Sequence, residues 1–156
     1  LMGYPKPTWV LGNTYDPIAR EAAKASGKAF DVEDLAAAFI KFDNGATLVL
    51  EASWAAHIQE AELMETRLLG TQAGLLQKNL NEGYQFDAHI FSDSAGAQID
   101  THVHPPTTPA KSAMHDYAEA ILTEQPHPAP CEEGLIVMEL LDAVYESART
   151  GAPVQL

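Results

Sequence analysis

The residues able to do chemistry are scattered, and their densest group is Glu51-Ala52-Ser53-Trp54-Ala55-Ala56-His57. A carboxylate, a hydroxyl, a large aromatic ring and an imidazole at one strand end can grip a hydroxyl-rich small molecule. The polar groups would fix its orientation and the ring would supply apolar area. Glu51, Trp54 and His57 are therefore the candidate pocket residues. The plainer alternative buries Trp54 in a core and leaves Glu51 solvated. Six histidines raise the question of a metal centre. His102-x-His104 sets two imidazoles on one side of a strand, as two ligands of a zinc or iron site would stand. The pair runs into Pro105-Pro106, and spacing along the chain identifies no third ligand. Polar residues leaving a sheet is the reading taken, and no metal ligand is assigned. His57, His89, His115 and His127 are scattered. Cys131 falls at a helix start, where a thiol pKa can drop, but no partner base accompanies it. As the single cysteine it forms no internal disulfide.

The motifs that are missing narrow the field. There is no G-x-G-x-x-G opening a helix after a strand and no G-x-x-x-x-G-K-[ST] loop to cradle phosphates. There is no G-x-S-x-G elbow and no H-E-x-x-H helix. The nearest glycine pair, in Gly70-Thr71-Gln72-Ala73-Gly74, reads as a strand-to-strand turn. No catalytic residue and no cofactor-binding residue is assigned within the chain. With 9 Lys+Arg against 22 Asp+Glu the formal net charge is −13. Such a surface repels phosphate backbones and anionic headgroups, which argues against nucleic acid and membrane as partners. Apolar runs such as Leu35 to Ile40 are about six residues long, whereas a membrane span needs roughly 20. No basic-then-apolar signal pattern is read after the opening residues, and a reducing, cytoplasmic location is expected. The opening Leu1-Met2, running into Tyr4-Pro5-Lys6-Pro7, reads as part of a longer polypeptide; the alternative is a start at Met2 with Leu1 as an extraneous residue.

These groups need elements to position them. At 156 residues and 46% hydrophobic content, one globular domain over 1–156 is expected. Thr8 to Tyr15 is rich in β-branched and aromatic residues and predicts a strand. Pro17 suits the first turn of a helix over Ile18 to Ala25. Asp34 to Phe42 and Ala46 to Trp54 predict a hairpin about Asn44-Gly45, with Leu48, Leu50, Ala52 and Trp54 on one side. Thr47, Glu51 and Ser53 take the other, and Val49 breaks the alternation. Further strands are predicted over Glu62–Leu69, Gly74–Lys78, about Gly83–Ser92 and Ala97–Val103. The period then lengthens: Met114, Tyr117, Ala118, Ile121 and Leu122 mark one helix. A second, about Glu132 to Thr150, carries so many apolar residues, from Leu135 to Ala148, that heavy burial is expected. The fold class is α+β: an open, mainly antiparallel sheet with helices packed on one face and the other face uncovered.

Four segments in this order resemble the C-terminal domain of the Gfo/Idh/MocA family of NAD(P)-dependent oxidoreductases, whose fold is like the C-terminal domain of glyceraldehyde-3-phosphate dehydrogenase. They are Leu1-Met2-Gly3-Tyr4-Pro5-Lys6-Pro7; the hairpin from Asp31 through Gly45 to Trp54; Leu68-Leu69-Gly70-Thr71-Gln72-Ala73-Gly74-Leu75, similar to the family's G-T-x-G turn with one extra residue; and Tyr145 through Gly151 to Val154. The resemblance implies a substrate-binding and oligomerisation domain, preceded in the full-length enzyme by a Rossmann domain that binds NAD or NADP. The family's E-K-P lysine and its His and Asp have no counterpart here, so no catalytic role transfers. The same resemblance implies an oxidoreductase acting on a sugar, polyol or related hydroxy compound. This chain would form the substrate pocket and a homo-oligomer through the open sheet face, and alone would bind no nicotinamide and be inactive. The alternative is a stand-alone interaction or sugar-binding module without catalysis.

Overall fold

A computed structural model describes residues 2–156 apart from Glu82, Tyr84, residues 105–111 and Pro128. The chain divides into two compact units, Leu1–His57 with Tyr117–Leu156, and Ile58–Asp116.

The first unit is built on a four-stranded antiparallel sheet. Its strands are β1 (Pro7–Tyr15), β2 (Leu35–Phe42) and β3 (Thr47–Ser53), with a two-residue strand, Val154–Gln155, completing the order β3-β2-β1-tail. Helix α1 (Pro17–Ser26) follows β1 with proline in its first turn. The predicted hairpin is present, with Ala38 opposite Leu50 and Phe39 opposite Val49. Its connection is Asp43-Asn44-Gly45, where Gly45 has a φ of 86° and Phe42 and Ala46 close the turn. Alternation along β1 buries Val10 and exposes Leu11, Asn13 and Tyr15, so even positions face the core and odd ones the open side.

Helix α3 (Cys131–Thr150) covers the even side. Its Ala143 and Val144 pack with Val10, Ala38 and Ile40 into the core, and Phe42, Leu50, Leu140 and Val154 lean on that cluster. Contact between α3 and β1 is close because Gly12 has no side chain: a Cβ there would stand 3.0 Å from Val144 Cγ1. Ser147, fully buried, ties the layers together. Its Oγ accepts the Gly12 N–H at 2.9 Å and donates to the Ala152 carbonyl at 2.8 Å. The heavy burial expected for the whole helix is not found. Leu135, Val137 and Met138 are each more than half exposed. The C-terminal part of α3 lies over β1, and among the described residues the apolar side chains of its first turns are left largely exposed. Helix α2 (Ala113–Thr123) likewise has no buried residue, and Met114 and Leu122 of its apolar face are largely exposed.

The second unit holds a second four-stranded antiparallel sheet, in sequence order: β4 (Glu65–Leu69), β5 (Ala73–Leu80), β6 (Gln85–Ser94) and β7 (Ala97–His102). The α+β class and antiparallel pairing are as expected, and the strands fall into two ladders of four. The Gly70–Gly74 segment is a turn, closed by Gly70 N–H on the Ala73 carbonyl at 3.0 Å. Strands β6 and β7 are joined by Ala95-Gly96, both at positive φ, which is the backbone of a two-residue hairpin turn. That turn fixes Ser94 opposite Ala97 and hence His89 opposite His102.

Candidate functional site

The three pocket candidates lie along and just beyond β3, in different surroundings. Glu51 is opposite Ala37 and helps line a cleft of about 470 Å3. Asn13, Ala38, Leu50, Ser147 and Gly151 also line it, so its wall is largely apolar with few polar groups. Ser147 is committed to Gly12 and Ala152, and Asn13 spans Thr14 and Tyr15. Among the described residues Glu51 has no hydrogen-bond or ion-pair partner, so its carboxylate is the group available to accept from a ligand's hydroxyls.

Trp54 is not a core residue. The residue is 62% exposed, and its ring packs against Phe30 at 5.7 Å between centroids. Its indole N–H donates to the Glu33 carbonyl at 2.7 Å, which fixes the ring's orientation. The Glu33 carboxylate in turn accepts the Tyr145 hydroxyl at 2.8 Å, and this bond with the nearby negative charge raises the Tyr145 pKa above its ordinary 10.0. His57 is exposed, in the irregular segment beyond the strand. No hydrogen bond or ring contact joins Glu51, Trp54 and His57 to one another among the described residues.

The residue that holds this strand end together was not singled out by spacing. Asp34 is 2% exposed, and its carboxylate accepts the N–H groups of Ile18 at 2.6 Å and Ala19 at 2.9 Å. It therefore caps α1 from 15 or so residues away, where a local Asp16 side chain makes no cap. The Asp34 carbonyl also takes the Ser53 hydroxyl at 2.7 Å and the Trp54 N–H at 3.3 Å. The same feature bears on nicotinamide dinucleotides. A pyrophosphate is held best at a helix N-terminus that follows a strand. At the β1–α1 junction that position is already filled by the Asp34 carboxylate, and α3 opens on Glu132 and Glu133. These residues do not fit the cofactor, and no redox step is placed on them.

The second unit carries a separate polar group. Asp87 and His89 on β6 share a face with Asp100 and His102 on β7. His89 Nδ1 is 2.6 Å from Asp100 Oδ1, and His89 Nε2 is 3.2 Å from Asp87 Oδ2. His102 Nε2 is 2.7 Å from Asp87 Oδ1. The hydrogen bond to Asp100, against some desolvation, raises the His89 pKa above its ordinary 6.5. His104, two residues beyond His102, meets that ring edge-on at 4.5 Å. Asp87 and His89 were legible only as D-x-H in one strand, with no sign of what they would face.

The first unit thus joins a helix-covered antiparallel sheet to an exposed strand end and a cleft. The family model described as the oxidoreductase family's C-terminal alpha/beta domain, of the Gfo/Idh/MocA group, matches residues 2–156. The chain belongs to that family. It is 28% identical to D-glucoside 3-dehydrogenase of Escherichia coli (strain K12) over 166 aligned positions, covering 100% of this chain and 44% of that protein. It is 27% identical to D-xylose 1-dehydrogenase (NADP(+)) 2 of Haloferax volcanii over 120 positions, 75% of this chain and 35% of that protein. Among solved structures, the aldose-aldose oxidoreductase from Caulobacter crescentus complexed with glycerol superposes with a TM-score of 0.73 at 20% identity, covering 97% of this chain and 42% of that one. Levoglucosan dehydrogenase in complex with NADH and L-sorbose gives 0.71 at 18%, covering 96% and 44%. The structural likenesses concern the fold. The chain spans less than half the length of the curated relatives it matches. Among the described residues no helix is long and apolar enough to cross a membrane.

Proposed function

We propose that this chain is the substrate-side domain of an NAD(P)-dependent dehydrogenase acting on a sugar, polyol or related hydroxy compound. The observation that carries this reading is the match of the whole chain to 44% of a protein named D-glucoside 3-dehydrogenase. Two relatives named as sugar dehydrogenases and a similar fold solved with NADH and L-sorbose support the substrate class and the cofactor. The filled helix N-terminus at Asp34 supports assigning NAD or NADP to another domain of the full-length enzyme.

In this reading Glu51 orients substrate hydroxyls and Trp54 offers its exposed ring to the apolar face of a sugar, with His57 at the rim. Hydride transfer needs the nicotinamide and the substrate carbon held in near-contact, and this chain provides one wall of that arrangement. The open odd-numbered face of the first sheet, whose Leu11, Phe39 and Val49 also line the cleft beside Glu51, serves subunit pairing next to the bound substrate. Expression of the full-length enzyme with a panel of aldoses, glucosides and polyols, and either NAD or NADP, tests the reading. Glu51→Ala is expected to raise KM roughly tenfold or more, the scale of a lost hydrogen bond to a charged group, and Trp54→Ala to raise it through loss of apolar ring contact, with nicotinamide affinity unchanged in both. The isolated chain is expected to show neither turnover nor saturable NAD(H) binding. Binding of nicotinamide dinucleotide by the chain alone would overturn the division of labour.

A further inference from the structure

The Asp87–His89–Asp100–His102 group has a construction that packing does not require. The Ala95-Gly96 turn sets His89 directly opposite His102 and Phe91 opposite Asp100. Val103 donates its N–H to the Ala88 carbonyl at 2.8 Å, so that pair is of the hydrogen-bonded kind. The adjacent His89–His102 pair is then of the non-hydrogen-bonded kind, where cross-strand side chains come closest. Strand periodicity adds Asp87 and Asp100 to the same face, and the two imidazoles stack at 5.0 Å.

The proton count is awkward. A carboxylate only accepts, and three ring nitrogens face carboxylate oxygens: both nitrogens of His89 and Nε2 of His102. In a neutral His89 that donates Nδ1–H to Asp100, Nε2 bears a lone pair and faces an Asp87 carboxylate oxygen at 3.2 Å, the longest of the three contacts. A divalent cation resolves the same arrangement with neutral rings. One oxygen of Asp87, one nitrogen of His89 and one of His102 all lie within 4.8 Å of one another. Asp100 is placed as an outer partner: by holding Nδ1–H of His89 it leaves Nε2 as the free lone pair, the carboxylate–histidine arrangement that orients metal-bound imidazoles.

We infer that Asp87, His89 and His102 form a binding site for a divalent transition-metal ion of the zinc class, with Asp100 as the positioning residue. Two nitrogens and one carboxylate oxygen suit that class better than magnesium or calcium, which favour all-oxygen shells. The ion would cross-link β6 to the edge strand β7 and keep an outward position open for water or another ligand. Binding requires that the ligand nitrogens shed any protons they carry.

The test is a titration of the full chain, stripped with EDTA, with zinc chloride at neutral pH, read by calorimetry and by the melting temperature. The expected result is saturable binding of one ion per chain with a rise in melting temperature. His89→Ala and His102→Ala should each abolish the tight phase, and Asp100→Asn should weaken it about 10- to 100-fold without touching the ion. His115→Ala should leave it unchanged. Cobalt(II) substitution gives a readout independent of stability, through absorption bands of histidine-ligated cobalt that His89→Ala should remove. Failure of zinc to saturate, or binding that survives in the His89→Ala/His102→Ala double variant, overturns the site. A cluster that holds only a proton would show the first of these. The outcome is independent of the dehydrogenase assay, since it is read on the chain alone.

Discussion

Asp34 shows how much one residue can organise. Its carboxylate satisfies two N–H groups at the start of α1 while its carbonyl anchors Ser53 and Trp54. Asp34→Ala should leave those helix donors unpaired in a buried place and destabilise the chain by about 1–3 kcal/mol. Asp34→Asn, which keeps one acceptor, should cost less. Urea unfolding followed by circular dichroism distinguishes them. Tyr145 gives a pH signature at the other end of the scale. Its folded-state pKa is raised by the hydrogen bond to Glu33, so the bond contributes fully below the ordinary tyrosine value near 10.0 and is lost as pH rises through the higher folded value. The group is half exposed, so the contribution is well under about 1 kcal/mol. Alkaline unfolding of the wild type should therefore converge on that of Tyr145→Phe at high pH, with the difference confined to the lower side. A gap that widens with pH would contradict the assignment.

At the scale of elements, α3 is a helix with two regimes. Its C-terminal half meets β1 through Val144, which is 4% exposed, whereas Met138 is 56% exposed. Val144→Ala should destabilise the chain by roughly 1–3 kcal/mol, from lost burial plus a cavity. Met138→Ala, on the uncovered half, should stay within about 0.5 kcal/mol. Denaturant midpoints of the two variants measure this gradient directly, and similar costs for both would mean that the first turns of α3 are packed after all. Gly12 belongs to the same contact, since any larger side chain there would press on Val144.

For the whole molecule, the open face of the first sheet sets the behaviour in solution. Val49 is 74% exposed and Leu11 43%, beside Phe39, an apolar surface that favours association. At a net charge of −13 copies repel one another, and added salt screens that repulsion. The chain should therefore sediment as at least a dimer, more so at higher salt, and Val49→Lys should shift it toward monomer. A monomer independent of concentration and salt would remove the pairing proposal.

What the amino-acid order determined alone is local: the hairpin about Asn44-Gly45, the Gly70–Gly74 turn, the change from strands to helices, and the absence of a phosphate cradle. Each reflects steric limits on φ or side-chain periodicity within a few residues. The motif order also made the family legible. The division into two ladders, the half-covered state of α3 and the cap on α1 were decided by tertiary structure, because each depends on which distant segment arrives at a given face. Periodicity shows that Leu135 to Met138 are apolar but not whether a layer lies above them. The same reason hid the His89–His102 pair. Two short D-x-H patterns mean little apart, and only a two-residue turn setting the β6–β7 register places one histidine across from the other.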